Sequence, residues 1–501
     1  MMQLSLFDIP HIKEKRQSGI FSADDFGVQT VRLNLEKKLI DITVISNDFN
    51  RKTVSYQLSK NDCLHRWLKY KEGFSADLVK RLLSEFDINS GDTVLDPFIG
   101  SGTTALVCMM HGINSIGFDI LPMSKISIDA KQSVFDYDIA ELKQLIIAME
   151  NLSVPDDHAS TTDCITITEG AYPKKTEREI SFFTKWNMNS DFSDKAKNLI
   201  TLCILNSLEK VSYTSKDGQF LRWDHRSKKM LQAAEYRKKS GKNPLVIRLD
   251  KGELPTLKKV LLDELKSVFS DILLIRKDTS HPPVSDITFV EGSALFELPK
   301  LKDKTINGVI TSPPYCNRYD YTRTYALELA YLGITDAKIK QLRQDLLSCT
   351  VENKPKLEYL HNHYASLGKQ HDFEKILKIV QSNRALEEVN GALTERNTNG
   401  DINNKGVLRM VNGYFTELTF IYAEIYRLCK PGAKVAFVND NVRYGGEVIP
   451  VDFISTDLAE QIGFKPVKIY SLMQQKGNSS QQMAKFGRVP LRKSITIWEK
   501  S

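Results

Sequence analysis

The sequence predicts an α/β fold, a Rossmann-like and mostly parallel sheet flanked by helices and interrupted by two large, mainly helical insertions. Three observations predict it. Residues 92–104 read as a strand running into a glycine turn and then a helix, and Ile116-Gly117-Phe118-Asp119 reads as a second strand ending on an acid. Far downstream, residues 305–310 form an apolar strand that runs into Thr311-Ser312-Pro313-Pro314-Tyr315. After residue 406, helix and strand alternate again and end in a late hairpin, the pattern of a sheet wound with crossover helices.

The first motif, Asp96-Pro97-Phe98-Ile99-Gly100-Ser101-Gly102-Thr103-Thr104, has the order that a nucleotide-like ligand needs. Glycines let backbone approach the ligand, the helix N-terminus attracts an anion, and an acid about 20 residues on suits a ribose diol. Asp119 stands at that place. In the second motif two prolines end the strand, because neither can donate a ladder bond, and their carbonyls stay free to accept from a ligand. Beside them the Ser312 hydroxyl and the Tyr315 ring complete a set suited to a planar, amine-bearing ring.

Together, Asp-Pro-Phe-x-Gly-Ser-Gly-Thr-Thr and Thr-Ser-Pro-Pro-Tyr resemble the S-adenosylmethionine-dependent DNA amino-methyltransferases, and the Ser-Pro-Pro-Tyr form is more typical of cytosine-N4 than of adenine-N6 enzymes. The resemblance covers roughly residues 60–125 and 285–500. It implies a seven-stranded class I methyltransferase sheet, S-adenosyl-L-methionine as cofactor and double-stranded DNA as partner. It implies that Asp96, Pro97, Phe98, Gly100, Ser101, Gly102, Thr103 and Thr104 shape the cofactor pocket and that Asp119 binds the ribose. Phe74 and Ser75, just before the glycine motif, are then expected at the methionine end. Ser293 falls where relatives commonly carry an acid near the adenine amine, and Glu291 is a candidate to compensate. The catalytic set is Ser312, Pro313, Pro314 and Tyr315, acting on a base rotated out of the duplex.

The whole chain sets the context. Its 501 residues exceed one small domain, and its composition is that of an ordinary globular protein. No apolar run approaches the roughly 18 residues that span a bilayer, and the N-terminus lacks the pattern of a signal peptide. Seven cysteines without Cys-x-x-Cys spacing suggest reduced thiols in a cytoplasm and no structural zinc, and the resemblance implies a bacterial, nucleoid-associated protein. His361, His363 and His371 lie close together without a completing carboxylate or thiol, so no metal is expected. Cys316 lacks the Pro-Cys pair of covalent cytosine chemistry. Net charge is +7, and residues 222–251 alone hold ten lysines and arginines against Asp224, Glu235 and Asp250, so the remainder is neutral overall. A local field of that sign suits phosphates.

In chain order, residues 1–60 form an N-terminal extension. Its Gln3-Leu4-Ser5-Leu6-Phe7 resembles the short peptide with which bacterial DNA-processing proteins bind the replication sliding clamp, and alternation over 25–60 suggests short strands. Residues 61–124 are the cofactor half of the domain. Residues 125–285, helix-prone and carrying Tyr172, Phe182, Phe183, Trp186, Tyr213, Phe220 and Trp223 among the basic block, are expected to recognise the DNA target. Arg222, Arg226, Lys228, Lys229, Arg237, Lys238 and Lys239 are its candidate phosphate contacts. Residues 286–335 bring a third strand near 287–290, the catalytic motif and an aromatic lip, Tyr319, Tyr321 and Tyr325. A second helical insertion spans 336–405, closing with a mobile loop over 391–406. Residues 406–501 complete the sheet, with a basic loop near 474–492 expected to approach the flipped base.

The sequence thus points to a site-specific DNA cytosine-N4 methyltransferase of a restriction-modification or related defence system, with a cognate restriction endonuclease as a partner. Adenine-N6 or RNA methylation keeps the fold and changes the substrate. A non-catalytic DNA-binding subunit is the third reading.

Overall fold

The computed structural model describes residues 30–46, 48–159, 165–217, 220–279, 282–472, 486 and 491–501. The strands are β1 (Thr43–Ile45), β2 (Thr93–Asp96), β3 (Asn114–Asp119), β4 (Thr214–Asp217), β5 (Phe220–Trp223), β6 (Ile287–Glu291), β7 (Ile306–Thr311), β8 (Cys429–Asp440), β9 (Val442–Tyr444), β10 (Glu447–Ile449), β11 (Phe464–Leu472) and β12 (Lys493–Lys500). Eight of them form one sheet in the order β1-β11-β12-β8-β7-β2-β3-β6, while β4 with β5 and β9 with β10 make separate pairs. From β8 across to β6 the ladder is parallel, and β12 runs antiparallel to both its neighbours. The expected seven strands are all present, and β1 adds an eighth at the edge beside β11.

This order places the two motifs side by side. From β2 the chain winds outward through β3 to β6, and from β7 it winds the other way to β8, so the reversal lies between β2 and β7. In an open α/β sheet a ligand binds in the crevice at that point, outside the carboxyl ends of the strands. The strands there are buried on both faces, with Val94 and Leu95 of β2 and Val309 and Ile310 of β7 all fully inaccessible. A continuous apolar run is what a doubly covered parallel strand requires.

Several expectations change. Alternation at Val31 and Leu33 suggests a strand, but the residues form the helix Val31–Leu39, because Thr30 caps it by accepting from Leu33 N at 3.1 Å. That helix is stapled to distant parts of the chain: the buried Arg32 guanidinium meets Glu388 at 2.6 Å and Glu447 at 3.1 Å. The mobile loop expected over 391–406 is mostly helix, since Arg384–Thr398 runs through Gly391 and only the residues after Thr398 are irregular. β8 begins at Cys429 rather than after Pro431-Gly432, which it absorbs where its register with β7 shifts. The sliding-clamp peptide and nearly all of the basic loop before β12 lie outside the described residues.

The first insertion is helical, as expected, with the hairpin β4–β5 added. Several of its aromatics turn inward and are not displayed for stacking. Phe183 is buried, and Tyr172, Phe182, Trp186 and Trp223 pack against a core shared with Trp67, Tyr70, Tyr321 and Tyr325. They go inward because this helical layer needs its own apolar core. Buried Lys216 of β4 pairs with buried Glu328, which ties the insertion to the helix Ala326–Tyr331 beyond the catalytic motif. Among the described residues no helix is long and apolar enough to cross a membrane.

Candidate active site

The crevice at the sheet's reversal point is a cleft enclosing about 730 Å³, counting its open mouth. Its walls come from both motifs. Asp96, Pro97, Phe98, Ile99, Gly100, Ser101 and Thr103 line one side, Asp119 to Leu121 the end of β3, Gly292 to Ala294 the end of β6, and Ser312 with Pro314 the end of β7. Tyr70, Glu72, Gly73 and Phe74 close it from one flank, and Tyr321 with Asp345, Leu346 and Leu347 from another.

The glycine turn is shaped by close approach. Gly100 lies at φ +53°, and a Cβ there would fall 2.8 Å from the Tyr70 ring. At Gly102, φ is +93° and a Cβ would meet Ile128 at 2.8 Å, so this glycine lets the following helix sit against its neighbour and does not face the cleft. Gly100 N and Leu121 N donate to the Asp119 carboxylate at 3.1 and 2.8 Å. Burial raises the Asp119 carboxyl to about 6 against those bonds.

Asp96 joins the two motifs. It accepts from Thr311 Oγ1 at 2.6 Å, from Thr104 Oγ1 at 2.7 Å and from Phe98 N at 3.1 Å, and burial raises its carboxyl to about 6. One carboxylate thereby locks the catalytic strand β7 to the cofactor strand β2. Thr104 is buried and spent on this lock, so it does not line the cleft. Ser101 turns its carbonyl away, toward the Lys131 ammonium at 2.9 Å. Lys131 is fully buried, which lowers it to about 7.

Ser75 departs from expectation. Its hydroxyl is buried, donates to Thr53 O at 2.9 Å and accepts from Leu78 N to cap the helix Ala76–Glu85, whereas Phe74 does reach the cleft. Ser293 lines the cleft, while Glu291 is exposed and absent from its walls.

On the catalytic side, Ser312 Oγ donates to the Tyr315 hydroxyl at 3.1 Å. The Lys493 ammonium lies 4.9 Å from the Tyr315 ring centre and donates to Val54 O at 3.1 Å. Burial lowers the Lys493 pKa, but Tyr315 and Asp440 outweigh it and the net shift is upward. The loop after the motif is anchored at several points. Tyr444 Oη donates to Cys316 O at 2.7 Å, and Tyr319 and Tyr325 both donate to Glu72, whose carboxyl is raised by burial. Arg318 holds φ +68°, a strained conformation for a side chain of its size. Cys316 is fully buried and its thiol is pushed well up, so no thiolate is available for covalent chemistry.

Sequence reasoning missed Glu72, Lys493 and the segment Asp345–Leu347. Glu72 sits in a stretch of aromatics with no motif of its own, and the last belongs to an insertion that carries no motif. His361 and His363 pack edge-on against Phe373 and Phe296 at 5.2 and 5.3 Å. Among the described residues one group of possible metal ligands converges, Asp224, His225 and Asp250. Asp224 is already held by Arg226 at 2.8 Å through both oxygens.

The candidate phosphate contacts are uneven. Arg226 is committed to Asp224, Lys239 pairs with Glu235 at 2.7 Å, Lys228 lies 3.6 Å from Glu169, and Arg237 donates to Asn243 O at 2.6 Å. Lys229 sits over the Trp223 ring at 4.8 Å, Lys238 is exposed, and Arg222 is exposed on β5.

The cleft fits a cofactor that joins an adenosine to a methionine. It offers an acid at the end of β3 for a diol, apolar walls at Ile120, Leu121 and Leu346 for a planar base, backbone approach at Gly100 and carboxylates at Asp96 and Glu72 for an ammonium. Comparison with known proteins agrees. The DNA methylase family that spans N6 and N4 methylation matches residues 35–125. The type II methyltransferase M.BsoBI of Geobacillus stearothermophilus is 55% identical over 480 residues, 96% of this chain and 94% of that one. The type II methyltransferase M.AvaI of Anabaena variabilis is 36% identical over 490 residues, 95% of each chain, and M.MjaII of Methanocaldococcus jannaschii is 44% identical over 82 residues, 16% of this chain and 15% of that one.

Proposed function

This chain belongs to the S-adenosylmethionine-dependent DNA amino-methyltransferases, and within that family we propose that it methylates N4 of cytosine in double-stranded DNA. The observation that carries this reading is Ser312 on the cleft wall at the end of β7, with its proton directed to Tyr315. S-adenosylmethionine supplies an electrophilic methyl group on sulfur when bound. The residues that would hold it are Asp119, Asp96, Phe98, Gly100, Phe74 and Ser293.

An exocyclic amine is a poor nucleophile because its lone pair is delocalised into the ring. Since Ser312 gives its proton to Tyr315, its oxygen keeps lone pairs to accept one amine hydrogen, and the Pro313 carbonyl accepts the other. These two bonds draw the nitrogen toward a tetrahedral shape and favour the positive charge that grows on it. Such positioning lowers barriers by up to about 7–11 kcal/mol in well-oriented systems. Once the nitrogen has taken up the methyl group it is positively charged and would lose one of its protons to solvent, with Ser312 Oγ, which keeps its own proton, serving only as a hydrogen-bond acceptor. Tyr315 carries the Lys493 ammonium over one face of its ring, and the other face would stack on the rotated base, which a duplex otherwise hides.

The same reading includes a restriction endonuclease of matching specificity and docking on the sliding clamp through residues 3–7. The test is expression in a methylation-free bacterial host, with sequencing that separates methyl-cytosine from methyl-adenine. N4-methylcytosine at one repeated motif, lost in Ser312→Ala, is the expected result. N6-methyladenine at that motif would overturn the choice of base.

A further inference from the structure

The basic block folds into an arm unlike the rest of the surface. The helix Lys228–Lys239 buries none of its residues, and residues 241–250 run back along it, tied by Arg237 to Asn243 O and by His225 N to Leu249 O at 3.3 Å. Between helix and return strap lies a groove lined by Trp223, Met230, Leu231, Ala234 and Leu245. Four large apolar side chains stand out into water: Leu231 at 57%, Tyr236 at 63%, Val246 at 72% and Ile247 at 64% exposure. Single exposed apolar residues are common on any protein, but four in one small element mark a surface that meets something.

Charge says what it meets. Of the three acids in the segment, Asp224 is buried against Arg226, Glu235 is paired with Lys239 and Asp250 alone stands exposed and unpaired with an arm cation, against ten lysines and arginines, so the arm is cationic overall. An apolar tip ringed by cations matches a polymer whose charge is outside and whose apolar faces are stacked within. That is DNA, whose phosphates take the cations while an apolar wedge enters between base pairs. The arm is also well placed, because β5 packs on the helix Tyr321–Thr324 just beyond the catalytic motif and its Trp223 lines the groove.

We propose that this arm grips the duplex beside the flipped base, its lysines and arginines on phosphates and its Val246-Ile247 pair wedged into a base step to bend the DNA. The proposal rests on the chain being a DNA methyltransferase. The wedge lowers the cost of extruding the target base by unstacking its neighbourhood before flipping.

The test uses the full chain and a short duplex carrying the motif found by sequencing, with dyes at its two ends to report bending. Val246→Ser/Ile247→Ser is expected to abolish the bend and weaken binding about tenfold, with the salt dependence of binding unchanged. Lys238→Ala/Arg248→Ala is expected to keep the bend and lower the salt slope by about one per lost phosphate contact. Normal bending and affinity in the serine variant overturn the proposal. So does loss of self-association in sedimentation with DNA binding intact, which would assign the patch to a second copy. An intact chain that methylates the duplex while the serine variant bends it normally sinks the wedge alone, and one that transfers no methyl sinks both readings.

Discussion

Replacing Gly100 by alanine and, separately, Gly91 by alanine tests whether the glycine turn exists to bring backbone and Tyr70 together around the cofactor. Both glycines have positive φ, +53° and +88°, so each alanine carries a left-handed backbone penalty of about 1–2 kcal/mol. They differ in surroundings. A Cβ at Gly91 meets nothing within 4 Å, whereas at Gly100 it falls 2.8 Å from Tyr70 Cε1 and 3.2 Å from Cζ. The Tyr70 ring cannot swing aside cheaply, because it is 7% exposed and stacked on Tyr325 at 5.1 Å, and Tyr325 is held in turn by Glu72. Overpacking of this kind costs about 1–3 kcal/mol. Because Tyr70 and the turn both line the cleft, that strain falls on cofactor binding. Calorimetric titration with S-adenosylmethionine is expected to give Gly91→Ala an affinity within about twofold of the parent, and Gly100→Ala one weaker by about 10- to 100-fold. Equal affinity in the two variants would refute the crowding argument. An unchanged affinity in Gly100→Ala would remove the turn from the cofactor site altogether.

Three other outcomes follow from the geometry. Asp119 titrates near 6 in the fold because it is buried, so cofactor affinity should fall as pH drops through 6. Since its folded pKa lies above the ordinary carboxylate value, this carboxyl adds stability as pH falls from about 6 to about 4 and withdraws it as pH rises, and Asp119→Asn should flatten both profiles. Lys493→Met should slow single-turnover methyl transfer by about tenfold while leaving the cofactor dissociation constant unchanged, because its ammonium meets Tyr315 and not the cleft. Lys216→Met strands the Glu328 carboxylate in the core and should cost about 3–5 kcal/mol in urea denaturation, most of it recovered when Glu328→Gln is added.

Much of the architecture was legible because its signals are local. The strand-turn-helix at 92–119, the proline stop after β7 and the alternation after residue 406 each carry their own periodicity and punctuation, and the sheet follows them. What was not legible depends on contacts between distant residues. Asp96 reads as a pocket residue from its motif, yet it also bonds Thr311 of a strand far along the chain. Ser75 reads as a cofactor contact, but a serine before a helix is equally an N-cap, and Thr53 and Leu78 decide in favour of the cap. Charge surrounds the aromatics of the first insertion in sequence and suggests stacking, whereas burial sorts Tyr172, Phe182, Phe183 and Trp186 inward and leaves Leu231, Tyr236, Val246 and Ile247 outside. Lys493 had no motif to announce it, since only the return of β12 beside β8 brings it to Tyr315.

The place of β12 also governs how the protein comes into being. It enters the sheet between β8 and β11, so those two strands keep bare edges until it arrives. On a ribosome adding about 5–20 residues per second, the stretch from Asp96 to Lys493 takes roughly 20–80 seconds to emerge. Through that interval the cofactor strands exist but the catalytic half stays unsealed and Tyr315 lacks its lysine. Only when β12 slots between them do β8 and β11 lose their bare edges, so the sheet and the surroundings of Tyr315 are completed by the same strand.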